Sequence, residues 1–81
     1  MRMSWRCHIF RREAKEFTGD GRYFFGIHEG FYDRTGMWGW SKETERLEAE
    51  SPEELIEYIE MILADIKKNP TVYDHETGKP I

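Results

Sequence analysis

The sequence predicts an α+β domain, a three-stranded antiparallel β-meander followed by one C-terminal α-helix packed on one sheet face. Three observations carry that expectation. The first half is rich in aromatic residues and alternates with period two. Two clusters of turn residues, at 18–22 and 33–36, cut it into three segments. The second half holds one segment with a helix start, a helical apolar stripe and a helix stop.

The first strand is read over 3–12, where Trp5, Cys7 and Ile9 alternate with Arg6, His8 and Phe10. Thr18-Gly19-Asp20-Gly21-Arg22 is a turn signal, because glycine reaches positive φ without a steric cost. The segment from Tyr23 to Tyr32 is aromatic and too broken by glycine for a helix. Asp33-Arg34-Thr35-Gly36 reads as a type I turn with a glycine bulge, and Met37 to about Arg46 returns as the third strand. Ser51-Pro52-Glu53-Glu54 then starts the helix, with Ser51 as cap, Pro52 at the first position and Glu54 completing a capping box. Leu55, Ile56, Ile59, Ile62, Leu63 and Ile66 form its apolar stripe. Lys67 and Lys68 suit the negative end of the helix dipole, and Asn69-Pro70 stops it. A helix over 52–68 is about 25 Å long, enough to cross a small sheet. The domain is thus placed at 1–70, and 71–81 is read as a short edge strand at Thr71-Val72-Tyr73 followed by a loose tail.

With 81 residues there is room for one core only. Aromatic residues make up 15%, which argues against disorder, and a net charge of −4 excludes a generic polycation that coats DNA. The lone Cys7 excludes an internal disulfide and a multi-cysteine zinc site. No apolar run approaches the roughly 20 residues that span a bilayer, and the N-terminus has no signal-peptide pattern. A cytoplasmic protein with no membrane partner is the expectation. Charge is unevenly spread: residues 43–65 hold nine acids against the single base Arg46, a net of −8, while residues 1–22 carry +3. An acidic helix therefore faces away from a basic sheet end.

The turns suggest a register in which Phe17 pairs with Tyr23 and Asp33 with Met37. Residues of equal parity then share a face. The odd-numbered face, with Trp5, Cys7, Ile9, Ile27, Phe31 and Met37, suits the helix stripe. The even-numbered face carries His8, Phe10, Phe24, His28, Tyr32, Trp38 and Trp40, with Arg6, Arg12, Lys42 and Arg46 around them. One helix covers one face, so the even face is expected to be an exposed aromatic and basic platform. Phe24, His28, Tyr32, Trp38, Trp40, Arg12 and Lys42 are its candidate partner-binding residues.

Candidate chemistry is sparse. The same register places His8 opposite Tyr32, about 13 Å along the strand from His28. His28 and Glu29 point to opposite faces, and Asp74-His75-Glu76 lies in the tail, so no metal site is expected. Cys7 alternates with Trp5 and Ile9 and reads as a small buried hydrophobe rather than a nucleophile. The glycines lack the spacing of a nucleotide fingerprint, so no cofactor and no enzyme activity are expected.

Trp5-Arg6-Cys7-His8-Ile9, Ile27-His28-Glu29 with Phe31-Tyr32-Asp33, Gly39-Trp40-Ser41 and Ser51-Pro52-Glu53-Glu54-Leu55 together resemble a group of short uncharacterised bacterial proteins. Those have an I-H-E-x-x-Y-D strand and an S-x-E-E-L helix. More coarsely, three strands followed by such a helix are similar to the partner-binding domain of HicB-like antitoxins. That resemblance implies binding and neutralising a small toxin ribonuclease. The chain departs from those domains in lacking their Gly-rich, Pro-containing segment between strands 2 and 3 and any DNA-binding element after the helix. The leading expectation is a non-enzymatic, antitoxin-like or inhibitor-like module that binds a protein partner, or itself as a homodimer, through the even face. Single-stranded nucleic-acid binding on that face is the alternative. A third reading is an acidic phage-type inhibitor, anti-CRISPR-like, presenting Glu53, Glu57 and Glu60.

Overall fold

The computed structural model describes residues 4–13 and 22–81. It has four strands and one helix: β1 (Ser4–Glu13), β2 (Tyr23–Asp33), β3 (Gly36–Trp40), α1 (Pro52–Lys68) and β4 (Val72–Asp74). The sheet order is β3-β2-β1-β4; β1, β2 and β3 are antiparallel neighbours and β4 lies parallel to β1. The α+β meander-plus-helix architecture and the short fourth strand are as the sequence predicts.

Helix α1 begins where its sequence signature puts it. Ser51 is extended, its Oγ accepts the Glu54 N–H at 3.1 Å, and Pro52 occupies the first helical position. At the other end the Asn69 N–H donates to the Asp65 carbonyl. The helix packs on β1. One contact shows how it docks. β4 begins opposite Ile9, so the Cys7 N–H has no strand to bond on that side; Asp65 Oδ2 accepts it at 3.0 Å.

The register of the first hairpin differs from expectation. Glu13, not Phe17, lies opposite Tyr23, and the ladder runs through His8↔His28 to Ser4↔Tyr32. A tight turn at 18–22 would have required the longer pairing. Phe17 and most of that turn lie outside the described residues. The displacement preserves parity, so β1 and β2 keep their expected faces, but His8 meets His28 directly instead of Tyr32. The second hairpin follows its expected register at Gly30↔Trp40 and Phe31↔Gly39, then shifts at a bulge to Tyr32↔Met37. Gly36, at φ +121°, closes that turn in a conformation that strains other residues. The bulge swaps two side chains. Met37 moves to the even face, and Trp38 moves to the odd face, where it stacks on Phe31 at 5.6 Å.

β3 ends at Trp40 rather than near Arg46. The chain beyond it still follows β2, with the Ser41 N–H donating to the Glu29 carbonyl and the Glu45 N–H to that of Ile27. The tail expected to be loose folds back on β4. Asp74 N–H donates to Lys79 O and Ile81 N–H to Val72 O, with a bridge between Tyr73 and Pro80.

The largest departure is how the even face is closed. Trp40, on edge strand β3, donates its indole N–H to the His75 carbonyl at 2.7 Å, just past the opposite edge strand β4. Strands lie about 4.8 Å apart, so the two edges of a flat four-stranded sheet are about 14 Å from each other. The sheet is therefore rolled toward its even face, and its edges meet there. Phe10, completely buried, lies at the centre, with His28, Trp40, Tyr73 and His75 around it at ring separations of 5.4–6.1 Å. Gly78, at φ +71°, lies against the Trp40 ring, where a Cβ would overlap it. The aromatic surplus builds a second core without a second helix.

Candidate partner-binding site

The exposed aromatic platform expected on the even face is not formed. Of its proposed residues, His28 is completely buried, and Tyr32 and Trp40 are partly buried inside the roll. Trp38 is exposed, at 56%, but on the other face beside Phe31. Phe24, Arg12 and Lys42 are exposed, with Phe24 opposite Arg12 in the ladder. The premise that one helix leaves one face open failed because a rolled sheet covers its own inner face.

Polar groups in this core are arranged with care. The His28 Nδ1–H and the His75 Nε2–H both donate to the Ser41 carbonyl, at 3.0 and 3.2 Å. His8 Nε2 is hydrogen-bonded to the Tyr32 hydroxyl at 2.5 Å. Tyr32 is in turn hydrogen-bonded to Tyr73, which accepts from Asn69 Nδ2–H at 3.1 Å. His8 Nδ1 and His28 Nε2 are buried without a partner. Burial holds both imidazoles below the usual histidine range, that is, neutral at pH 7. Although His8 and His28 are cross-strand neighbours, no group of three or more His, Cys, Asp or Glu residues able to hold a metal occurs among the described residues.

The open surface lies on the helix side. Inward positions of α1 are Leu55, Tyr58, Ile62 and Ile66, and among the helical residues only Ile62 is fully covered. The apolar stripe is wider than this contact. Ile56, Ile59 and Leu63 lie on its flank and are exposed, Leu63 at 48%. Between that flank and β2 runs a groove of about 280 Å3 lined by Ile27, Leu47, Ile59, Ile62, Leu63 and Ile66. Leu47, itself 55% exposed, belongs to the segment that the Glu45–Ile27 hydrogen bond ties to β2. Farther along the same face Trp5, Phe31 and Trp38 form a row across β1, β2 and β3, Trp5 lying opposite Phe31.

The elements that bound the groove are acidic. Glu53, Glu57 and Glu60 are exposed on the helix, and Glu48, on the segment with Leu47, pairs with Arg46 at 3.9 Å. Next to the groove, Tyr58 donates its hydroxyl hydrogen to Glu45, which is also hydrogen-bonded to Glu29. Sharing a proton with Glu45, together with partial burial, pushes the Glu29 carboxyl up to about 7. Cys7 lies opposite Glu29 in the ladder. Its burial, and the nearby carboxylates of Glu45, Asp65 and Glu29, push the thiol up to about 12. A thiol so held is a packing residue, as its alternation with Trp5 and Ile9 suggests.

Sequence reasoning missed Ile27, Leu47, Ile59 and Leu63 as a surface because it assigned the whole stripe to the core. The signal was present in the stripe's width. From Ile62 round to Ile56 it spans about 120° of the helix, and only Ile62, at one edge, is buried. No helix among the described residues is long and apolar enough to cross a membrane. No protein-family model, curated protein or solved structure matches the chain.

Proposed function

We propose that the protein is a non-enzymatic interaction module whose helix-bearing face binds a basic amphipathic segment of another protein. One observation carries this reading: an apolar groove between β2, the Leu47 segment and a helix whose exposed positions are acidic. An apolar ridge would fill the groove, and flanking lysines or arginines would meet Glu53, Glu57 and Glu60. A second copy of the chain fits less well, because an isologous contact would bring acidic helix against acidic helix. Binding and masking a basic protein is how an antitoxin-like or inhibitor-like module would act, and it gives the −8 segment a role. Nucleic-acid stacking finds less support: Trp40, His28 and Tyr32 face into the roll, and the exposed groove carries the wrong charge.

The test is calorimetric titration with a short amphipathic helix of leucine and lysine, beside its leucine–glutamate counterpart. The basic peptide is expected to bind, more weakly as salt rises, and the acidic one not to bind. Leu63→Asp should weaken the basic peptide by at least about tenfold, since it places a charge in the apolar floor. Equal affinity for both peptides, or no binding, contradicts the proposal. So does sedimentation showing a dimer that Leu63→Asp dissolves, which would assign the groove to a second copy.

A further inference from the structure

The acidic face has a counterpart at the far end of the helix. There a separate cleft of about 280 Å3 is lined by Arg6 of β1, Tyr32 of β2, and Asp65, Lys68 and Asn69 of α1 and its cap. We propose that this cleft binds a small oxyanion, a phosphate or carboxylate group.

Its lining holds a guanidinium, an ammonium, a phenol and a carboxamide. The phenol O–H is free to donate to a ligand when the His8 Nε2–H and the Tyr73 hydroxyl both donate to Tyr32. The one carboxylate, Asp65, is engaged by the Cys7 N–H, which leaves two formal positive charges against one negative in a protein of net charge −4. Neither Arg6 nor Lys68 forms an ion pair with a described residue. Lys68 also offsets the partial negative charge of the helix C-terminus, which would otherwise repel an anion.

The neutral donors are held in place from behind. Tyr32 is fixed by His8 at 2.5 Å and by Tyr73, and Asn69 is fixed through its side-chain bond to Tyr73 at 3.1 Å and its N–H bond to Asp65 O. A hydrogen-bonded chain thus runs from a completely buried histidine to the wall of a charged cleft. Core packing alone gives no reason to bury His8, whose Nδ1 has no partner. Orienting Tyr32 toward a ligand does. Arg6 supplies a planar fork suited to two oxygens of one anion.

The test is an NMR titration of the full chain with sodium phosphate and, separately, sodium acetate, at ionic strength held constant with sodium chloride. Saturable shifts are expected at the Asn69 side-chain amide and the Arg6 Nε–H, with the indole N–H of the distant Trp38 unmoved. Arg6→Gln should weaken binding at least about tenfold, as loss of a charge-assisted pair does. Tyr32→Phe should weaken it less. The Trp40 indole N–H, bonded to His75, reports whether each variant is folded. Should Arg6→Gln disturb it, Lys68→Gln at an exposed helix end makes the same test. Saturation by phosphate alone assigns a phosphate group, by acetate alone a carboxylate, and by both either group. Shifts that do not saturate, or that are unchanged in the Arg6 and Lys68 variants, overturn the proposal.

Discussion

Two tryptophans one residue apart from being neighbours have opposite fates. Trp38 stacks on Phe31 in solvent; Trp40 is held by His75 and Gly78 inside the roll. Trp40→Ala should therefore cost about 3–5 kcal/mol in chemical denaturation, the range for deleting a large core aromatic. Trp38→Ala should cost no more than about 1.5 kcal/mol. Equal costs would contradict the assignment of faces. Gly78→Ala should lower the melting temperature markedly, because the new Cβ meets the Trp40 ring and the backbone has positive φ. His8 and Phe10, expected on an open face, are buried by the roll, and alternation along β1 made only the burial of Cys7 legible. The fate of Trp38 was not, since one extra residue at a bulge reverses every face beyond it.

Helix α1 is the element the sequence described best, from the Ser51 cap to the Asn69 stop, because its signals are local. The register of β1 on β2 is set by a connection through 14–22 and by contacts distant in sequence, and turn residues alone misplaced it. Titration at this scale runs in two directions. His8 and His28 are held below their unfolded pKa, so their contribution to stability is complete above the usual histidine value and is lost as pH falls through the lowered ones. Long-range nitrogen NMR should find both rings titrating at lower pH than a free histidine; titration at or above the usual value would contradict the burial. Glu29 is raised from 4.5 to about 7, so its contribution is complete below the unfolded value and is lost as pH rises through 7. Above that point Glu29 and Glu45 repel each other, which loosens the segment carrying Leu47. Glu29→Gln should gain melting temperature over the wild type progressively between pH 5 and pH 8, as followed by circular dichroism. A difference that stays constant with pH would show that no shared proton holds the pair.

For the molecule as a whole, the rolled sheet changes what the aromatic content means. Aromatics in excess of one small core line the inside of the roll, and the surface left for a partner is aliphatic and lies beside the acidic helix. The sequence shows both ingredients, the wide stripe on α1 and the −8 segment. What hid the result is that the closure of a sheet depends on contacts between its edges, Trp40 with His75 and Gly78, whose partners lie 35 residues or more apart. The most direct test of the groove as the partner surface is methyl NMR mapping with the leucine–lysine helix. The groove predicts shifts at the methyls of Ile27, Leu47, Ile59 and Leu63, with the Trp40 indole and Tyr73 unmoved. Shifts centred on Trp40, Phe24 and Lys42, with the groove methyls silent, would contradict it.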